Sequence, residues 1–212
     1  MRLYFVRHGQ SEANVQSVIS NRDLPHPLTD LGRQQARQLA QATAAVPVAR
    51  IYSSPLLRAR QTAEILSAAL GAPFEITEAL REFDCGIAEG RSDEEAWSLW
   101  RWVMDDWLAR GHLDSRIEGG ESFMDIKARF VPLVERLVED RRGSTDNLIL
   151  LGHGGLFSAM LPLVLANVDA AFVGSHPITH SGAIVAEPRH QALACLEWCG
   201  EKLVLEPTLP PA

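Results

Sequence analysis

The chain has 212 residues, 46% of them hydrophobic and 22% charged, a globular balance with enough length for a continuous core in a single domain over 1–212. Twenty Lys and Arg against 27 Asp and Glu give a formal net charge of -7. That leaves no basic surplus for a nucleic-acid backbone, and any anion site must be built by local arginines. The apolar run that opens the chain is too short for a signal-peptide core. The longest apolar stretch, Leu156 to Val168, is broken by Ser158, Pro162 and Asn167 and falls short of the roughly 20 residues of a membrane span. Cys85, Cys195 and Cys199 form an odd, sparse set, so a soluble, cytoplasmic protein with reduced thiols is expected.

Leu3 to Val6 reads as a buried strand that delivers Arg7-His8-Gly9 to a polar loop, and Thr29 as the cap of a helix through about Ala45, with Leu31, Ala36, Leu39 and Ala40 on its inner face and Pro47 at its end. Arg50 to Ser53 is a second strand, Pro55 starts a helix that Gly71 closes, and Phe74 to Ile76 is a third strand. Ser122 opens a long helix to about Arg142. Asn147 to Leu151 is the clearest buried strand, and a helix follows Gly155. Ala183 to Glu187 and Ala192 to Trp198, separated by Pro188, read as a hairpin, and the Pro-rich stretch from Glu206 to Ala212 as a frayed tail. Alternating strands and helices predict an α/β fold, a three-layer α/β/α sandwich around a mainly parallel sheet.

Asp93 to Arg110 is a helical segment that carries Trp97, Trp100, Trp102, Met104 and Trp107, with positions 97, 100, 104 and 107 on one face. Two readings stand together: a stripe packed on the core, and a lid or insertion over a substrate pocket at about 91–118.

Chemistry gathers at strand ends. A histidine on a turn beside an arginine, as in Arg7-His8-Gly9, could attack phosphorus while the guanidinium holds the oxygens. Arg58 and Thr62 lie one helical turn apart just after a strand. Gly152-His153-Gly154-Gly155 places a second histidine between a strand and a helix whose free amides favour negative charge.

With these blocks in order, the chain resembles the histidine phosphatase superfamily, also called the phosphoglycerate mutase-like family. The matching blocks are Leu3 to Asn14, Pro27 to Ala36, Ser53 to Ala63, Leu80 to Gly86, Gly119 to Ser122 and Gly152 to Gly155. The resemblance implies a phosphoglycerate mutase-like fold and a phosphoric monoester hydrolase of the histidine phosphatase type. It implies that His8 is the nucleophile, that Arg7, Asn14, Arg58 and His153, with Gly154 beside it, bind the phosphoryl group, and that Glu82 is the proton donor. Such a mechanism needs an unprotonated nitrogen on His8, its other nitrogen held by an acceptor, and a Glu82 that gives and then takes a proton. Asp84, Glu89 and Glu121 are competing carboxyls in neighbouring loops.

Three rivals remain. A cofactor-dependent phosphoglycerate mutase shares the His, Arg and Glu set, yet the Tyr and Lys that help such mutases hold substrate correspond here to Cys85 and Asp93. Cys85 and Arg91 have the Cys-x5-Arg spacing of cysteine-dependent phosphatases, though Asp84 and Glu89 would set negative charge against a phosphate. A non-catalytic phosphate-binding module would have lost one of these residues. His26, His112, His176, His180 and His190 lack a ligand spacing, so neither metal nor cofactor is expected. The expected partner is a small phosphorylated substrate, with no nucleic acid and no membrane, and a homodimer is compatible with the chain.

Overall fold

Apolar residues on alternate faces of the central strands divide the core in two. The computed structural model describes residues 1–23, 25–189 and 192–203. Its seven strands are β1 (Leu3–Arg7), β2 (Val48–Ser53), β3 (Phe74–Ile76), β4 (Asn147–Gly152), β5 (Ala183–Arg189), β6 (Ala192–Trp198) and β7 (Glu201–Lys202), in the order β3-β2-β4-β1-β5-β6-β7. The first four in that order are parallel, and β5, β6 and β7 add antiparallel neighbours along one side. Tyr4, Val6, Ile51, Ile149 and Leu151 face α2 (Asp30–Ala42) and α3 (Leu57–Leu70). Leu3, Phe5, Leu148 and Leu150 face α4 (Glu94–Leu108), α5 (Phe123–Asp140) and α6 (Gly154–Val164). This is the three-layer α/β/α arrangement expected from strand–helix alternation.

Capping explains most helix starts. Thr29, Asp93 and Ser122 precede α2, α4 and α5, and each side chain accepts a backbone N–H of the first turn. Two expectations for α2 need correction. The helix ends at Ala42, because Thr43 turns its hydroxyl back onto the Leu39 carbonyl at 2.8 Å, so Pro47 plays no part. Leu31 is 48% exposed, and the inner face is Gly32, Ala36 and Ala40, with Leu39 partly buried against the same core. The helix lies so close to the first loop that a Cβ on Gly32 would sit 1.9 Å from the Gln10 carbonyl oxygen.

Pro188 does not separate the hairpin strands; it pairs with Leu193 inside β5. It is tolerated because β1 pairs with β5 only as far as Ala186, so beyond that point the β1 side of β5 needs no donor from the strand. Two short helices, α1 (Glu12–Gln16) and α7 (Ala170–Ser175), and strand β7 were not foreseen. His190 and the expected frayed tail at 206–212 lie outside the described residues. Among the described residues, no helix is long and apolar enough to cross a membrane.

The topology fixes where chemistry can occur. Arg7 pairs with Gly152 and Ser53 with Leu151, so β1, β4 and β2 end side by side. His8, His153 and Ser54 leave the sheet at one edge, the carboxyl ends of parallel strands, where α/β folds hold their ligands.

Candidate active site

His8 is 3% exposed, and its orientation is defined at both ring nitrogens. Nδ1 lies 2.6 Å from the Gly9 carbonyl oxygen, which can only accept, so Nδ1 carries the proton and Nε2 the lone pair. Arg58 Nε donates to that Nε2 at 3.0 Å. Burial first, then the charges of Arg58 and Arg7, hold His8 well below the usual imidazole range. The ring is a neutral base at pH 7. The turn beneath it is tied to α3, since the Gly9 N–H donates to Thr62 Oγ at 3.3 Å.

Arg58 leaves the first turn of α3 and is buried. Its Nη1 donates to the Ser20 carbonyl at 2.6 Å, and Asn21 Oδ1 lies 3.5 Å from Nη2. Burial pushes it down to about 10, which leaves it a cation at neutral pH. Arg7 is held from the opposite side by the loop before β5: Nη1 donates to the Ile178 carbonyl at 2.7 Å and Nη2 to His180 Nε2 at 3.0 Å. Since a guanidinium can only donate, His180 is the acceptor, and burial with the Arg7 charge holds it down to about 4. His180 lies 173 positions from Arg7, and nothing in its sequence surroundings announces this role.

His153 is fully buried, its ring centroid 5.1 Å from that of His8. Its Nε2 meets Ser54 Oγ at 2.7 Å. Ser54 Oγ also takes the Leu56 N–H at 3.3 Å, and among the described residues its own proton has no acceptor but His153 Nε2, which places the His153 proton on Nδ1. His153 Nδ1 and Arg7 Nε are buried and have no hydrogen-bond partner among the described residues. Both belong to residues next to His8, Arg7 in the chain and His153 through its ring 5.1 Å away.

Glu82 belongs to the same chamber. Its carboxyl accepts the Gly155 and Leu156 N–H groups at 2.9 and 2.6 Å, at the first turn of α6, and the Phe83 N–H at 3.1 Å. Burial raises its pKa against the pull of those N–H groups and of Arg58. Gly155 allows the approach: a Cβ there would stand 2.8 Å from the Phe83 ring and 2.9 Å from Glu82 Oε1.

Of the seven residues read from the sequence, His8, Arg7, Arg58, Glu82, Asn14 and Gly154 line one cavity of about 370 Å³, and His153 does not line it but sits with its ring centroid 5.1 Å from that of His8. Asn14 turns its Oδ1 to the Ser11 N–H and hydroxyl, which leaves its amide N–H groups for a ligand. Ser20, Asn21 and Trp100 also line the cavity, and short-range pattern did not mark the first two.

The competing residues are placed elsewhere. Cys85 is buried against Asn21, burial pushes its thiol far up, and Arg91 pairs with Asp93 and Glu95 on the surface. Cys85 and Arg91 therefore do not form a phosphate loop. Asp84 pairs with Arg22, Glu89 accepts the Asn21 and Cys85 N–H groups, and Glu121 pairs with Arg129. The described residues contain no cluster of three or more His, Cys, Asp or Glu side chains that could hold a metal ion. On α4, Met104 and Trp107 are buried in the core, Trp97 and Trp100 line the cavity, and Trp102 points outward at 41% exposure.

A buried neutral histidine between two arginines at the carboxyl edge of this sheet defines a class. The chain belongs to the histidine phosphatase superfamily, branch 1, whose sequence pattern matches residues 3–199, and it is an enzyme of that superfamily. It is similar to the probable phosphoglycerate mutase GpmB of Salmonella choleraesuis (strain SC-B67), 31% identical over 171 residues that cover 78% of this chain and 75% of the relative. Among solved structures it is similar to a mycobacterial glucosyl-3-phosphoglycerate phosphatase complexed with VO3, at 27% identity and TM-score 0.78, covering 93% of this chain and 96% of that one. It is also similar to YhfR of Bacillus stearothermophilus, at 26% identity and TM-score 0.78, covering 92% and 94%.

Proposed function

We propose that the chain is a phosphoric monoester hydrolase that acts on a small phosphorylated metabolite through a phosphohistidine on His8. The observation that carries this reading is the neutral His8, its Nε2 lone pair met by Arg58, with Arg7 and His153 as neighbours that each keep a buried guanidinium or ring nitrogen unpaired among the described residues. A phosphoryl group in transfer spreads charge over three equatorial oxygens, and three fixed donors are suited to hold it.

In the first step His8 Nε2 forms an N–P bond as the P–O bond to the leaving group breaks, and protonated Glu82 gives its proton to the leaving oxygen. In the second, ionised Glu82 takes a proton from water, the water oxygen bonds to phosphorus, and the N–P bond breaks. Orthophosphate leaves and His8 returns to its neutral form. The elevated pKa of Glu82 suits a group that must be protonated in one step and ionised in the next. Arg7 and Arg58 supply the positive charge, so no metal is required.

Hydrolysis is favoured over mutase activity by the walls. A mutase must also hold the rest of a phosphoglycerate, yet the only cations lining the cavity among the described residues are Arg7 and Arg58, both beside His8. Cys85 and Asp93, which stand where the mutases have Tyr and Lys, do not line it.

The test is phosphate release from a panel of phosphomonoesters, with isomerisation of 3-phosphoglycerate measured beside it and chelator present throughout. Release that is lost in His8→Ala and kept in Cys85→Ser, with an acid-labile, alkali-stable phosphoenzyme, is expected. Isomerisation faster than release would overturn the hydrolase reading.

A further inference from the structure

Resting on that reading, we infer that the alcohol released from the phosphate is uncharged and apolar, a ring-bearing group that lies against Trp100 and Trp97.

The aromatic wall is rigid. Trp97 Nε1 donates to the Ser17 carbonyl at 2.7 Å, and Trp97 meets Trp100 edge-on with ring centroids 5.8 Å apart. Trp100 stacks on Phe83 at 6.2 Å, and Phe83 in turn meets the buried Trp107 at 5.1 Å. The rings thus run from the core to the cavity without a break. Phe83 follows Glu82 directly, so the wall adjoins the carboxyl that gives its proton to the leaving oxygen. A group departing from that oxygen lies along the rings, and Ile19 and Ile178 also line the cavity.

Charge points the same way. The two cations that line the cavity are both committed to the phosphoryl position, so a carboxylate or second phosphate on the leaving group would be desolvated without a partner, against ring faces whose quadrupole repels anions. An apolar ring loses nothing there and gains stacking.

The experiment compares 2-phenylethyl phosphate, glycerol 3-phosphate and 3-phosphoglycerate. All are esters of primary alcohols, so leaving-group basicity does not decide the order. The expected kcat/KM falls in that order, with about tenfold or more between the first and the last. Trp100→Ala should lower the phenylethyl value about tenfold, mainly through KM, and the glycerol 3-phosphate value no more than about threefold. Trp100→Phe should restore most of the loss, Trp97→Ala should repeat the pattern, and the outward-facing Trp102→Ala should change nothing. A second arm titrates the resting enzyme with 3-phenylpropylphosphonate and with 3-phosphonopropionate, which read the wall without turnover. If none of the three esters is hydrolysed but the phenyl phosphonate binds tighter, the hydrolase reading fails and the aromatic wall stands. Preference for 3-phosphoglycerate or the carboxylated phosphonate, or equal losses on all esters in Trp100→Ala and Trp97→Ala, would overturn the inference.

Discussion

Arg58 Nε donates to His8 Nε2 at 3.0 Å, so the lone pair proposed to attack phosphorus is covered, in the resting site, by the cation that would steady the phosphoryl oxygens. Attack requires this N–H to move onto an incoming oxygen while Nη1 stays on the Ser20 carbonyl. Lysine has one head and cannot do both. Arg58→Lys and Arg58→Ala should each lower kcat/KM by about 10²-fold or more. Burial first, and then the Arg58 and Arg7 charges, hold His8 unprotonated; only the alanine variant removes one of those charges, so its acid limb should move to higher pH while that of the lysine variant stays. Unmoved limbs in both would show that Arg58 does not control His8.

Glu82 can be tested through the leaving group. An alkoxide needs a proton in the transition state and a nitrophenolate does not, so Glu82→Gln should lose about 10²-fold in kcat/KM on alkyl phosphates and markedly less on p-nitrophenyl phosphate. The alkaline limb of the alkyl phosphate profile should disappear with it. Equal losses on both substrates would assign Glu82 a structural role.

Gly155→Ala probes the same carboxyl without touching it. Alanine favours a helix by about 1 kcal/mol over glycine, yet the new methyl group would press on Glu82 and the Phe83 ring at 2.9 and 2.8 Å. The expected outcome is a protein that melts near the wild-type temperature but loses about tenfold or more on alkyl phosphates, with the substrate ratio of Glu82→Gln. Wild-type rates would mean the carboxyl position is not critical.

His8, His153 and His180 share one pH signature. Each is held below the ordinary imidazole value by burial and by arginine charge, His180 to about 4, whereas in the unfolded chain each titrates near ~6.5. Below that value the unfolded state binds more protons, so the stability of the neutral folded forms is fully present above ~6.5 and is lost as pH falls toward the folded values. Glu82, raised in the fold, has the opposite sign: its contribution is lost as pH rises above the ordinary carboxyl range. The melting temperature should drop between pH 7 and pH 5. His180→Gln, which keeps an acceptor for Arg7 and cannot titrate, should soften the drop and retain most of kcat/KM, whereas His180→Ala should lose about tenfold in kcat/KM. Identical melting slopes in wild type and His180→Gln would refute the assignment.

The strands ending in Arg7, Ser53 and Gly152 were legible in the sequence because each is a short apolar run closed by polar or glycine residues, and burial on both faces leaves little other reading. The two histidines and Arg58 were legible for the same reason: each sits within a few residues of such a strand, and the strands must lie together. Glu82 needed the family pattern, since Asp84 and Glu89 nearby are chemically its equals. Only the tertiary structure separates them, by burying one carboxyl against the amides of α6 while the others go to Arg22 and to loop N–H groups. Leu31 and Pro188 depart from the sequence expectation because exposure depends on what crosses a helix face and on which strand lies alongside, and neither is local. The acceptor expected on His8 is the neighbouring Gly9 carbonyl, but the Ser54 hydroxyl that meets His153 and the His180 nitrogen that accepts from Arg7 lie 99 and 173 positions away and were beyond short-range pattern. Periodicity and capping are written over a few neighbouring residues. A proton's position is decided by contacts between residues up to 173 apart, and those exist only once the chain has folded.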